Sequence, residues 1–241
     1  ATGINIRAFA ESAVRMAQRC QANSKDNPGS ALAAFLASNA LEGRDKITLI
    51  TSDEYSMFGM WVDQLLAEST GKNGKGLIPI TGEPVLTLDD FASDRQFVVF
   101  KSKNDDKRVN HAIFALRMSE HPVFVIEPPT DDNHEISGEF FRWQFATTAA
   151  SSLMNIYPFD QPDVESAKVK SRELLSDPSM AIEGISLDAA LGQIKSESSP
   201  RYVAITAFLP ESPEVTAAFS ELRKVISEKT GMATTFGYGP R

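Results

Sequence analysis

"KITLITS", residues 46–52, is a short run of β-branched and aliphatic side chains, followed closely by the helical pattern "SMFGMWVDQLLAEST" (56–70). An apolar run without alternation suits a strand covered on both faces. The change from strand to helix within a few residues predicts a β–α unit. Four similar runs follow: "LIPITGE" (77–83), "QFVVFK" (96–101), "PVFVIEP" (122–128) and "YVAITAFLP" (202–210). Helical patterns separate most of them. They are "KRVNHAIFALRMSE", "EFFRWQFATTAASSLM", "DVESAKVKSRELL", "LDAALGQIK" and "PEVTAAFSELRKVISEKTG". Two more helices, "NIRAFAESAVRMAQRC" and "NPGSALAAFLASNALEG", precede the first strand. Five short apolar strands with helices between them predict one α/β domain, a mainly parallel sheet with helices on both faces. In such open sheets, ligands sit beyond the carboxyl ends of the strands. The polar, proline-bearing "IEPPTDDNHEISG" reads as a loop within this domain.

The chain has 241 residues, 42% hydrophobic and 23% charged, as in an ordinary soluble globular protein with a substantial core. A net charge of −8 argues against a nucleic-acid backbone or an anionic membrane as the main partner. It leaves room for a phosphorylated small molecule, which a few local donors can hold. A single cysteine, Cys20, forms no internal disulfide and favours a reducing compartment, so a cytoplasmic location is expected. No apolar run has the roughly 18–20 residues needed to span a bilayer, and no stretch reads as a signal peptide. The start at Ala1 and the glycine-rich stop "TTFGYGPR" read as the ends of a fragment of a longer protein.

Few residues stand out for chemistry. "GKNGKG" (71–76) is not a nucleotide loop, because a helix precedes it, a strand follows it, and Gly76 stands where a Walker motif needs a hydroxyl. Gly71 suits a helix C-cap, and Lys72 and Lys75 suit the negative helix end. Glu68 is less comfortable there, and a surface Glu68–Lys72 ion pair is its plainest explanation. His111, His121 and His134 lack metal-site spacing, so no metal is proposed. "TSDEYS" reads as capping for the following helix and "TTAASS" as packing inside an apolar one. "NIYPFDQPDVESAK" reads as a rigid turn between helices, with Asp160 placed to cap the second.

Three of these stretches together resemble the glucose-6-phosphate isomerase (phosphoglucose isomerase) family, in its C-terminal half. They are closest to the variety fused behind a transaldolase in some bacteria. "LLAESTGKNGKG" (65–76) is similar to the family's glutamate-serine-small-glycine-lysine stretch. "SSLMNIYPFDQPDVESAK" (151–168) is similar to its second signature, with Phe159-Asp160-Gln161, Val164, Glu165 and Lys168 in place and Asp163 where a small residue is usual. "TGMATTFGYGPR" resembles the approach to the final motif. With "DKITLITS" and "GLIPITGEP", the likeness runs in order along nearly the whole chain.

The resemblance implies a three-layer sugar isomerase (SIS) domain with a five-stranded parallel sheet flanked by helices. It also implies interconversion of glucose 6-phosphate and fructose 6-phosphate in glycolysis and gluconeogenesis, by an enediolate and without cofactor or metal. On the family's pattern Glu68 is the catalytic base, and Gln64, Ser69, Gly71 and Lys72 bind substrate. Implied partners are the hexose phosphate, an N-terminal isomerase domain missing from this chain, and a second copy in a homodimer.

Several family parts have no match here. The first isomerase domain and the glycine-glycine-arginine motif would precede Ala1, and the ring-opening lysine would follow Arg241. After Gly82-Glu83-Pro84 the chain continues "VLTLDDFASD" where most members have a histidine, so ring opening is assigned to no residue. The fragment alone is expected to be nearly inactive. Two alternatives stand beside this reading: a non-catalytic sugar-phosphate-binding module, and an isomerase for another hexose phosphate.

Overall fold

The computed structural model describes residues 3–23, 25–84, 91–101, 106–128, 132–177, 184–196 and 202–239. Within them the chain runs α1 (Ile6–Gln21), α2 (Pro28–Leu41), β1 (Lys46–Thr51), α3 (Ser56–Thr70), β2 (Ile78–Ile80), β3 (Arg95–Phe100), α4 (Lys107–Arg117), β4 (Val123–Ile126), α5 (Ile136–Leu153), α6 (Pro162–Ser176), α7 (Leu187–Ser196), β5 (Tyr202–Ala207), α8 (Pro213–Thr230) and β6 (Ala233–Tyr238). Local chemistry sets several boundaries. Asn5 and Asn27 open α1 and α2 by accepting the amides of Ala8 and Ser30 at 3.2 and 2.9 Å. Asn27 Nδ2 also donates to the Cys20 carbonyl at 2.6 Å, fastening the end of α1 to the start of α2.

The main sheet is parallel, in the order β2-β1-β3-β4. Its central strand β3 shows why the apolar runs do not alternate. Val98 and Phe100 enter one core with Leu32 and Leu36 of α2, Val62 and Leu66 of α3, and Trp143 of α5. Phe97 and Val99 enter a second core with Val109, Ile113 and Leu116 of α4. Successive side chains of a strand point to opposite faces, so a strand covered on both sides is apolar throughout. The layers are thus α2, α3 and α5, then the sheet, then α4.

The expected fifth strand corrects the sequence reading. Among the described residues the main sheet has four strands, and "YVAITA" (β5) pairs in parallel with β6 in a separate two-stranded sheet, through the α8 crossover. Two features account for this. Pro79 lies within β2 and lacks an N–H, which suits β2 to a sheet edge and hampers a further ladder. Along β5 exposure alternates, with Ala207 buried, so one face of this strand meets solvent. The C-terminal run read as a glycine-rich stop is β6 itself, up to Tyr238.

Polar groups attach this smaller unit to the body. Arg223 of α8 donates to the carbonyls of Gly82 (2.8 Å) and Thr81 (3.1 Å), just past β2, and to Thr234 O of β6 (2.7 Å). Glu83 accepts from Thr234 N at 3.3 Å and holds Arg95 of β3 in a two-pronged ion pair at 2.7 and 3.1 Å. No helix among the described residues is long and apolar enough to cross a membrane.

Candidate functional site

The geometry of α3 follows from which of its residues are buried. Phe58, Val62, Leu66 and Thr70 face the core, which turns Gln64 and Glu68 outward on the opposite side. Gln64 and Glu68 are one turn apart, and Gln64 Nε2 donates to Glu68 Oε1 at 2.9 Å. The carboxylate is solvent-exposed, and among the described residues its Oε2 has no protein partner.

After α3 the chain makes a tight reversal. Asn73 and Gly74 both have positive φ (54° and 70°), and Lys72 and Lys75 exchange backbone hydrogen bonds at 3.1 and 2.9 Å. This is the type I′ geometry that Asn-Gly favours. Gly71 is the C-cap, as expected, but its φ is −72°, so left-handed backbone is not what requires glycine. A Cβ there would stand 2.8 Å from the Ala67 carbonyl oxygen.

The lysine of this turn departs from expectation. Lys72 is 5% exposed and does not reach out to Glu68. Its Nζ donates to the Tyr157 carbonyl at 2.8 Å, to Asp160 Oδ1 at 2.9 Å and to the Asp160 carbonyl. The plain surface pair of Glu68 with Lys72 is therefore replaced by a partly buried contact between two distant loops. Asp160 in turn does not cap α6. Gln161 occupies the cap position without a side-chain bond, and Pro162 begins the helix.

That contact brings the two motifs together. Ala67, Glu68, Gly71 and Lys72 form one wall of a groove of about 250 Å³, and Gln161, Pro162 and Val164 form the other. Ser69, half-buried on the last turn of α3, lies outside the groove lining, and Gln64 joins it through Glu68. In the second motif Phe159 is exposed and packs edge-on against Tyr157. Glu165 pairs with Lys168 and Arg172 along exposed α6, at 4.0 and 3.3 Å. The side chain of Asp163 is outside the described ones.

The groove lies at the amino edge of the sheet, not at the carboxyl edge expected from open α/β sheets. α3 runs back along the sheet from the end of β1, so Glu68 arrives where β2 begins. The contact of Thr70 Oγ1 with Leu77 N, at 2.8 Å, marks that place. A larger cleft of about 470 Å³ lies between β2 and the β5–β6 unit, and Ala67 borders both hollows. Among the described residues lining that cleft only Asp63 is charged, and it accepts a hydrogen bond from Thr81.

None of the three histidines lines the groove. His111 is exposed on α4, across the sheet. His121 packs edge-on against Phe91 and Phe97, and burial lowers its pKa. His134 accepts from Asn5 N at 3.2 Å and contacts Asp132. Residues 85–90, where the family's histidine would fall, lie outside the described ones. Among the described residues no cluster of three His, Cys, Asp or Glu could hold a metal.

The Lys72–Asp160 contact and the wall facing Glu68 have no counterpart in the sequence pattern. The Asn-Gly dipeptide was a legible turn signal, but the identity of Lys72's partner depends on tertiary folding.

Relatives found among known proteins include glucose-6-phosphate isomerases. The chain is 27% identical over 166 residues to that of Heliobacterium modesticaldum, covering 54% of this chain and 37% of the relative. It is 26% identical over 209 residues to that of Leptospira biflexa, covering 70% of this chain and 46% of the relative. The chain thus spans less than half the length of these relatives. No protein-family model matches it. Among solved structures, a hypothetical protein of Thermus thermophilus, TT0462, superposes with a TM-score of 0.61 at 17% identity. That superposition covers 73% of this chain and 51% of the other, and supports the α/β fold with a parallel sheet flanked by helices.

Proposed function

We propose that this chain is part of an aldose–ketose isomerase that interconverts glucose 6-phosphate and fructose 6-phosphate, with Glu68 as the proton-transfer base. The observation that carries the reading is the groove itself. Two stretches far apart in sequence, each similar to a different motif of one isomerase family, face each other across about 250 Å³ with a carboxylate on one wall. The distant relatives support the same class.

The chemistry follows from the carboxylate. With the sugar ring open, Glu68 takes the proton from C2. The electron pair of the C–H bond forms the C1–C2 double bond, and O1 takes up the negative charge of an enediolate. Glu68 then returns the proton to C1, the proton of the C2 hydroxyl passes to O1, and C2 becomes the ketone carbon. A base doing this must be accessible and aimed. Exposure supplies the first requirement, and the bond from Gln64 restrains one carboxylate oxygen for the second. In this reading Gln64, Ser69 and Gly71 flank Glu68 on the substrate side.

The proposal extends to the whole protein. The domain is of the sugar isomerase (SIS) type. The enediolate-stabilising arginine and much of the phosphate site belong to a second such domain outside this chain, in a cytoplasmic protein that forms a homodimer and carries an upstream transaldolase. The chain alone then turns over little substrate, because catalytic groups that act as a unit lose most of their effect when separated. Substantial turnover by the isolated chain would refute that part.

The deciding test is Glu68→Gln in the full-length polypeptide, with folding checked by circular dichroism. We expect activity to fall by about a hundredfold or more while substrate binding persists. Retained activity would remove Glu68 from the mechanism. A panel of hexose phosphates separates this reading from an isomerase for a different sugar. Ligand binding with no Glu68-dependent turnover would instead mark a binding module.

A further inference from the structure

An ammonium group has three protons to donate, and Lys72 has an oxygen within bonding distance for each of them. Its side chain is almost fully enclosed, and its backbone is fixed by the Asn73–Gly74 reversal. To grip a substrate phosphate it would have to release a contact it already makes. Two of its three acceptors are main-chain carbonyls, of Tyr157 and Asp160, in the segment joining α5 to α6. The next residues of that segment, Gln161 and Pro162, with Val164 beyond them, form the wall opposite Glu68.

We propose that Lys72 is a positioning residue and not a substrate ligand: a strut that ties the 157–160 main chain to the end of α3 and so sets the width of the groove above Glu68. The assignment rests on the isomerase reading for its catalytic consequence, and on geometry alone for its structural one. Asp160 plays the lesser part. Its carboxylate is 55% exposed and supplies one of the three contacts, so losing it leaves both carbonyl bonds in place.

Hydrogen exchange and steady-state kinetics on the full-length polypeptide test the two halves separately. In Lys72→Met, amide exchange across residues 155–161 should rise about tenfold or more, while β1 and β3 keep their protection. The same variant should lose about tenfold or more in kcat with KM within about threefold, because misplaced groups slow chemistry without weakening substrate binding in proportion. Asp160→Asn should show the same pattern, more weakly on both measures. Unchanged exchange over 155–161 in Lys72→Met overturns the strut. A KM raised about tenfold with kcat intact overturns it too, and makes Lys72 a phosphate ligand. Should Lys72→Met fail to fold, Asp160→Asn and Lys72→Arg are read by the same criteria. Arginine's planar fork cannot reproduce three convergent ammonium contacts, so Lys72→Arg should fall between wild type and methionine. If Glu68→Gln stays active, the isomerase reading fails, and the exchange data still decide the strut.

Discussion

The body of this protein and the pieces attached to its margins are held by different physics. In the body, β1 and β3 interleave with α2, α3 and α5 through aliphatic and aromatic side chains, and α4 closes the other face in the same way. At the margins, polar groups carry part of the attachment, beside a few buried apolar side chains such as Met16 and Cys20 of α1. The β5–β6 unit hangs on Arg223, Glu83 and Arg95, while α1 is fastened through Ser12 and Arg15 to Glu135, at 2.8 and 2.7 Å. Apolar contact is tolerant of direction and polar contact is not. The body should therefore survive conservative repacking, while each margin is more sensitive to the loss of a single polar group.

The hardest blow to this contrast falls where a polar contact runs into the core. Arg95 is fully buried between Glu83 and Thr48, whose hydroxyl it meets at 2.9 Å. Arg95→Met leaves Glu83 charged and enclosed, and breaking one side of a buried pair costs about 3–5 kcal/mol. Urea unfolding should show that loss. Replacing both partners together, as Arg95→Met with Glu83→Leu, should restore much of it, because the double change removes the stranded charge. A single variant within about 1 kcal/mol of wild type would mean that the pair is not a joint at all.

A smaller and more local effect is expected one residue outward. Arg223→Met removes the donors that reach Thr81, Gly82 and Thr234, at roughly 2–3 kcal/mol for charged donors to buried carbonyls. The loss should be local. Amide exchange in β6 should quicken while β1 and β3 stay protected. Equal loosening of both sheets would show that the two-stranded unit is part of the body.

The same contrast explains what the sequence could reveal. The doubly covered strands β1 and β3 were legible because burial on both faces leaves an apolar run, and all eight helical patterns have counterparts. The placement of β5 was not legible. "YVAITA" looks like the others in composition, and its separation depends on Pro79 in a different strand and on where α8 docks. At the site, the spacing of Val62, Leu66 and Thr70 carried a signal for the outward position of Glu68 that the structure makes plain. That Lys72 would turn away from Glu68 to Asp160 did not follow, because the partner is 88 residues away and two of its contacts are main-chain carbonyls. Family likeness pointed to both motifs but not to the contact between them.

The least of the expected effects concerns the joint between α1 and α5, where α1 crosses so closely that a Cβ on Gly138 would sit 3.2 Å from Ser12 Oγ. Glu139, the next residue, is buried with Arg142 at 3.1 Å, and enclosure pushes its carboxyl from the ordinary 4.5 up to about 7, against the pull of Arg142 and Arg19. Because the folded protein holds this proton more tightly than the unfolded chain, the contribution is complete below about pH 4.5 and is lost as pH rises through about 7. The slope is at most about 1.4 kcal/mol per pH unit, so between pH 5.5 and 7 the protein should lose no more than about 2 kcal/mol. His121 works in the opposite direction. Burial lowers its pKa, so its contribution is present above the ordinary imidazole value and lost as pH falls. The wild-type curve therefore mixes the two, and the difference between wild type and Glu139→Gln isolates the carboxyl. That difference should change steadily across the window and flatten above it. A difference independent of pH would mean that Glu139 is already ionised in the folded protein, and that a salt bridge to Arg142 within α5 stands where we place a protonated acid.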